Sequence, residues 1–207
     1  MEKLKSTLPN MVGVLTTVAV LCGGLLALVN NVTQAPRDAA AENTLNTGIE
    51  QVIGGKCSVE NKYEITRHIN GKKQNFIVYE TDKGTAIQST DPNAFGGNLT
   101  VLVGFNDNGE ILGYTILETA ETPGLGAKAD TWFQKAENGG KGGKACIIGL
   151  NPQNANLTVS NDGGDVDAIT ASTITSRAFL RAIQQAYNTY MDKGTDASTG
   201  ASKQEGN

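Results

Sequence analysis

Residues 63–80 read YEITRHINGKKQNFIVYE. Two runs rich in β-branched and aromatic residues, 63–69 and 75–80, stand on either side of Asn70 and Gly71. A two-residue hairpin turn needs positive φ at both central positions, so this pair between such runs predicts a β-hairpin. A second hairpin is predicted where 99–105 and 111–117 flank Asn106, Asp107, Asn108 and Gly109. Between them, 85–89 follows a short turn at Asp82, Lys83 and Gly84. Further strands are read over 145–150 and 157–159. Helical spacing lies at the two ends of this pattern. Residues 35–53 place Leu45, Ile49 and Val52 on one stripe and stop at Gly54 and Gly55. A short helix is expected over 129–137, with Trp132 and Phe133 as buried anchors, and 138–144, NGGKGGK, as a flexible loop. A closing helix begins near Ser172 or Thr173 and returns Phe179, Ile183, Ala186, Tyr187 and Tyr190 to one face. Hairpins with a few covering helices argue for an α+β domain with a mainly antiparallel sheet. No strand–helix alternation and no GxGxxG supports a doubly wound fold.

Ahead of this domain, residues 11–29, MVGVLTTVAVLCGGLLALV, carry no charge. At ~1.5 Å per residue the run reaches roughly 28 Å as a helix, close to the hydrocarbon thickness of a bilayer. Lys3 and Lys5 precede it, and the first charges beyond are Arg37 and Asp38. Basic residues on the short side argue for a cytoplasmic N-terminus and an exported C-terminal body. A cleaved leader is the alternative. It calls for a shorter apolar core, ~7–15 residues, before small residues at the cut. Ala35 and the alanines at 39–41 would serve as those small residues. The expected organisation is a cytoplasmic N-terminus over 1–10, a transmembrane helix over 11–29, an exported domain over 30–191 and a disordered tail over 192–207.

Composition narrows the chemistry. The 207 residues hold 17 Lys and Arg against 21 Asp and Glu, net −4, with no basic block, which excludes an electrostatic nucleic-acid footprint. Without Glu2, Lys3 and Lys5 the remainder is more acidic still and gains no attraction to anionic lipid heads. A single histidine, His68, excludes a multi-histidine metal site, and three cysteines without CxxC exclude a zinc ribbon or an iron–sulfur motif. Outside the cytoplasm Cys57 and Cys146 could pair, or stand as unrelated thiols.

Two segments remain that can carry chemistry. The first, residues 167–176, reads DAITASTITS. Thr170, Ser172, Thr173, Thr175 and Ser176 crowd the start of an amphipathic helix. One or two such hydroxyls are ordinary caps. Five go beyond capping and stand beside the unsatisfied amides of a helix N-terminus, a ready site for a phosphate. Small Ala171 lets a ligand approach the backbone. The second segment, residues 118–128, reads ETAETPGLGAK. Pro123 fixes φ while Gly124 and Gly126 permit unusual conformations, and Leu125 is held between the two glycines. A connecting loop would suffice to explain it. A glycine-containing turn also presents amides to an anion, and Leu125 would suit a flat ligand.

Together, behind a single anchor, these segments resemble the FMN-binding subunits of the Rnf and Na⁺-translocating NADH:quinone oxidoreductase complexes. Within that family the chain most resembles the G subunit of Rnf, whose counterpart in the quinone reductase is the C subunit. The family's flavinylation motif runs Asp, two variable residues, Ser or Thr, Gly or Ala, a small residue, then the threonine that carries FMN through a phosphoester. Here Asp167, Thr170, Ala171 and Ser172 lead to Thr173. Ala171 and Ser172 stand where Gly-Ala is commoner. The stretch Glu121, Thr122, Pro123, Gly124, Leu125 and Gly126 matches the segment that lies at the family's flavin site. The resemblance implies covalent FMN on Thr173 and a separate flavin transferase that uses FAD as donor. It also implies companion subunits in the inner (cytoplasmic) membrane, with the flavin domain on the extracytoplasmic side. Thr170, Thr175 and the helix amides would hold the phosphate. Lys128 and Arg177 are charge candidates or ordinary solvated side chains.

The function so implied is electron transfer within an ion-translocating ferredoxin:NAD oxidoreductase, with no metal, no catalytic residue and no independent catalysis by this polypeptide. The alternatives are the equivalent component of a Na⁺-translocating NADH:quinone reductase, and a membrane-tethered anion-binding module without covalent flavin. A hydrolase using Ser172 or Ser176 lacks a base, since His68 falls on a predicted strand far off in sequence.

Overall fold

The structure is a computed structural model that describes residues 8–69 and 71–199. It divides into two compact units, Met1–Thr44 and Leu45–Asn207. Helix α1, Leu8–Ile53, contributes to both, so the helix expected over 35–53 is the end of a longer one. Within the first unit Leu8–Gln34 is 27 residues long, apolar, and none of it is buried. Two of its threonines bond back to the helix: Thr17 donates to the Gly13 carbonyl at 2.8 Å and Thr33 to that of Val29 at 2.7 Å. Such back-bonding removes the cost of a hydroxyl in hydrocarbon.

The second unit is built on a five-stranded antiparallel meander. Its strands are β1 (Val59–Ile69), β2 (Lys72–Thr81), β3 (Gly84–Ala94), β4 (Gly97–Phe105) and β5 (Ile111–Thr119). Ile69 opposite Lys72 closes the first expected hairpin, with Gly71 at φ +76°; Asn70 lies outside the described residues. Phe105 opposite Ile111 closes the second. β3 runs past the expected end at 89. Its far end is irregular between Asp91 and Ala94, so Pro92 falls where no ladder donor is needed.

Alternation along the strands makes two apolar faces. Phe76, Val78, Ile87, Leu99, Val101 and Val103 face α3, Thr173–Thr199, and pack with its Phe179, Ile183 and Ala186. Tyr79, Ala86 and Leu102 face the other way, onto Ile49, Val52 and Ile53 of α1. That second contact is close because Gly104 and Gly113 are partners in register, and a Cβ on either would crowd the Val52 carbonyl.

Four sequence expectations are corrected here. Residues 145–150 and 157–159 are not strands; only an isolated bridge joins Val159 to Val166. Ala145, Ile147, Leu157 and Val159 are buried, so the apolar runs reflect burial of irregular chain rather than a ladder. Residues 138–144 are not a free loop. They are wound back by hydrogen bonds from Gly140 to the Lys135 carbonyl (3.0 Å) and from Lys141 to that of Trp132 (3.1 Å). The short helix is shorter than expected: α2 is Ala129–Trp132, followed by a separate turn at Ala136–Asn138. α3 continues to Thr199, past the boundary expected at 191, while residues 1–7 and 200–207 lie outside the described residues. Cys57 and Cys146 are free thiols.

Candidate functional site

The loop after β5 is wound by its own backbone. Leu125 and Ala127 donate to the Thr122 carbonyl at 3.1 and 3.3 Å, and Lys128 to that of Leu125 at 3.0 Å. Gly124 takes φ +77° to make the turn, and Leu125 is turned outward. Glu121 lies buried at its base, where its Oε1 accepts from the Gly96 N–H at 3.1 Å. Gly126 has no room for a side chain, because a Cβ there would collide with Glu121 Oε2 and Thr175 Oγ1.

The start of α3 is set by a second group of bonds. Ser176 Oγ donates to the Ser172 carbonyl (3.0 Å) and accepts from the Ile169 N–H (2.9 Å). Ser172 N–H donates to the Ile169 carbonyl at 3.0 Å, closing the turn just ahead of the helix. Inside that turn Ala171 has φ +62°, the one positive φ among described non-glycine residues. This is strained for any residue with a Cβ, and a glycine would adopt it without that cost. Ser176 therefore serves the turn, Ser172 and Thr175 are buried, Thr173 is half-buried and Thr170 is exposed.

The two segments meet. A cavity of about 380 Å³ is lined by Glu121, Thr122, Leu125 and Gly126 from one and by Ala171, Ser172, Thr173 and Thr175 from the other. Two residues not singled out in the sequence complete it: Phe95, at the tip of the β3–β4 hairpin, and Ile174. Phe95 is 70% exposed, Ile174 51% and Leu125 43%, so three large apolar side chains face solvent around one cavity. A cluster of that kind on an otherwise polar surface marks a binding site. The available signal for Phe95 is an aromatic residue beside Gly96 and Gly97, in a turn with no core to enter.

Gly124 shapes the turn without lining this cavity, and Thr170 lines a second one. The second cavity, about 450 Å³, shares Ala171 and Thr173 with the first and adds Trp132, Lys141, Ser160 and Asp167. Lys128 lines neither. Arg177 is committed elsewhere, in a two-bond pair with Asp162 at 2.6 and 2.7 Å. That pairing holds the Asp162 carboxyl below its usual range. His68 sits exposed on β1 opposite Lys73 and lines neither cavity, so Ser172 and Ser176 have no histidine base.

The framework under the site is tied together by buried hydrogen bonds, a ring stack and an ion pair. Tyr114 donates its hydroxyl to the Ala129 carbonyl (2.8 Å) and accepts from the Phe133 N–H (3.1 Å). Phe133 stacks on Phe179 of α3, centroids 4.5 Å apart. Arg181 of α3 reaches back to buried Asp91 of β3 with bonds of 2.9 and 3.1 Å.

Comparison with known proteins gives concordant results. The FMN-binding domain family matches residues 95–188, from the hairpin tip that carries Phe95 through most of α3. The chain is 30% identical over 199 residues, 88% of each chain, to the G subunit of the ion-translocating oxidoreductase complex of Shewanella piezotolerans. The G subunit of the same complex from Cronobacter sakazakii is 30% identical over 83% of this chain and 85% of its own. That from Escherichia coli is 31% identical over 79% and 81%.

Proposed function

Since the chain belongs to the family of the G subunits of Rnf-type ion-translocating oxidoreductase complexes, we propose that it carries FMN esterified through its phosphate to Thr173. It is an electron-transfer FMN subunit of an ion-translocating oxidoreductase and works beside other subunits at a membrane. The finer reading is a ferredoxin:NAD oxidoreductase of the inner membrane, with a span drawn from Leu8–Gln34 and the flavin domain on the extracytoplasmic side. Lys3 and Lys5 ahead of the span favour that orientation. The three relatives described above are G subunits by name, which favours this reading over the quinone-reductase counterpart.

The residues suit the group. The observation that carries the reading is the convergence of two segments, far apart in sequence, on one apolar-rimmed cavity that Thr173 helps to line. Its volume, about 380 Å³, lies in the ~300–1,000 Å³ range of small-molecule sites. Phe95, Leu125 and Ile174 offer apolar surface to a flat ring. The first turn of α3 leaves backbone N–H groups without intrahelical partners and favours an anion. When bound, FMN supplies one- and two-electron redox chemistry. The chain's own part is to tether, orient and partly desolvate it.

A threonine hydroxyl is a weak nucleophile without a base, and no histidine lines the site. Attachment therefore falls to a flavin transferase with FAD as donor. The Thr173 hydroxyl gives its proton to the transferase as the Oγ–P ester forms and AMP leaves.

The test is a denaturing gel of full-length chain produced with a flavin transferase. A fluorescent band, an FMN-phosphoester mass on the peptide holding Thr173, and loss of both in Thr173→Ala are expected. A colourless wild-type band of unmodified mass rejects the reading and leaves a reversible anion-binding module in its place.

A further inference from the structure

The two cavities that share Ala171 and Thr173 differ in character. The first has an apolar rim, and its one charged lining residue is Glu121. The second holds Lys141, the only basic side chain lining either cavity among the described residues. Lys141 is delivered there by structure rather than by chance of a long side chain. Its N–H donates to the Trp132 carbonyl at 3.1 Å, and its ammonium lies 5.9 Å from the centroid of the Trp132 ring. The indole is in turn fixed by a bond from its Nε1 to the Asp167 carbonyl, 3.1 Å. The refolded glycine loop at 138–144 thus carries a cation to the cavity on which Thr173 also borders.

Nearby arginines are already spent on carboxylates, Arg177 on Asp162 and Arg181 on Asp91, whereas Lys141 has no ion pair within the described residues. Each cavity holds one carboxylate that accepts a hydrogen bond, Glu121 from the Gly96 N–H in the first and Asp167 from the Ser160 hydroxyl at 3.1 Å in the second, but only the second also holds a cation. A phosphate in the first cavity would face the Glu121 carboxylate with no cation to offset it. In the second it meets the Lys141 ammonium, and a hydrogen bond between the two is charge-assisted.

Resting on the reading of Thr173 as the esterified residue, we infer that the second cavity takes the phosphate end of the flavin, with Lys141 as its counter-charge. Thr173 stands between a chamber for the ring and a chamber for the phosphate. Lys141 is then a binding residue of the site, and the fold-back of the 138–144 loop presents it.

The test compares full-length wild type, Lys141→Gln and Lys141→Arg, each incubated with a flavin transferase and FAD. Three readouts are taken: the rate at which the fluorescent band appears, the ³¹P resonance of the purified loaded chain, and thermal melting of the bare chain. Loss of a charge-assisted bond predicts loading about tenfold slower in Lys141→Gln, a displaced ³¹P resonance, and bare-chain melting equal to wild type. Lys141→Arg is expected to restore both the rate and the resonance. Wild-type loading and an unmoved resonance in Lys141→Gln overturn the inference while the Thr173 reading stands. Slow loading with an unmoved resonance also overturns it, because Lys141 would then act only on the encounter with the transferase. A wild type that never loads overturns the Thr173 reading and the inference together.

Discussion

The backbone N–H of Gly96 donates to Glu121 Oε1 at 3.1 Å, which fastens the tip of the β3–β4 hairpin to the loop after β5. Phe95 owes its place at the cavity to that bond. Glu121→Ala leaves the N–H without its charged acceptor and is expected to cost about 1–3 kcal/mol. Glu121→Gln keeps an acceptor at Oε1 and is expected to cost less than half as much. Urea denaturation of the two variants measures the difference, and equal midpoints for wild type and Glu121→Ala would deny the bond any structural role.

Gly126 tests the same junction from the opposite side. An alanine Cβ would push into Glu121 Oε2 and Thr175 Oγ1. The carboxylate is the softer of the two obstacles, so it moves and takes the Gly96 bond with it. Gly126→Ala is expected to destabilise by about 1–3 kcal/mol. Because both changes break one contact, the double variant with Glu121→Ala should fall short of the sum by about 0.5 kcal/mol or more. Strict additivity in denaturant titrations would show that the two residues act independently.

Tyr114 predicts an alkaline weakness. Burial holds its phenol well above the ordinary 10.0. The folded chain keeps a proton there that the unfolded chain releases first. Stability from this group is fully present below about pH 10 and falls as pH rises further. Tyr114→Phe removes the partner of both the Ala129 carbonyl and the Phe133 N–H, at a cost of about 1–3 kcal/mol near neutral pH. It also lessens the alkaline slope without abolishing it, since burial raises Tyr63, Tyr79 and Tyr190 as well. Melting temperatures of wild type and variant between pH 7 and 11 measure both effects.

The part of this architecture legible in the sequence is the part governed by local rules. Gly71 and Gly109 mark turns because few residue types tolerate their positive φ. The α3 stripe is visible because a helix repeats its buried face. Residues 145–150 mislead because Ile147 and Ile148 look like strand residues whether or not a neighbour supplies a ladder. Phe95 and Ile174 are hidden for a different reason. Their significance is that they fail to be buried, and exposure depends on where distant segments end up. Lys141 lies in a stretch whose glycines suggest freedom, whereas they permit a fold-back that only Trp132 and Lys135 complete. The meeting of 121–126 with 171–175 follows from resemblance alone, since no local pattern in either segment points to the other.

Arg181 and Asp91 give a prediction about how α3 is held over the sheet. Asp91 is 1% exposed at its side chain and the arginine 44%. Removing the arginine leaves a buried carboxylate that still accepts from the Asn93 N–H at 2.8 Å but has lost its counter-charge. Breaking a fully buried pair costs about 3–5 kcal/mol. With one partner partly solvated, Arg181→Ala should cost about 1–3 kcal/mol after screening. Arg181→Lys recovers only part, because an ammonium cannot make the two parallel bonds. Urea titration at low and high salt measures the loss, and a salt-independent wild-type level of stability in Arg181→Ala would remove the clamp from the account of the fold.

The exposed apolar trio predicts how the proposed flavin meets water. Phe95→Ala leaves Thr173, the α3 turn and the Gly96 bond in place, so loading by a transferase should stay within about twofold of wild type. What changes is cover. An aromatic side chain withdraws substantial surface from solvent where it packs, so iodide should quench the loaded variant's flavin fluorescence roughly twofold more strongly. Leu125→Ala and Ile174→Ala are expected to move quenching in the same direction. Val59→Ala is the control: at 43% it is as exposed as Leu125, but it lies on β1 and lines neither cavity. Equal quenching in all four variants would mean that the ring lies away from Phe95, and the first cavity would lose its assigned occupant.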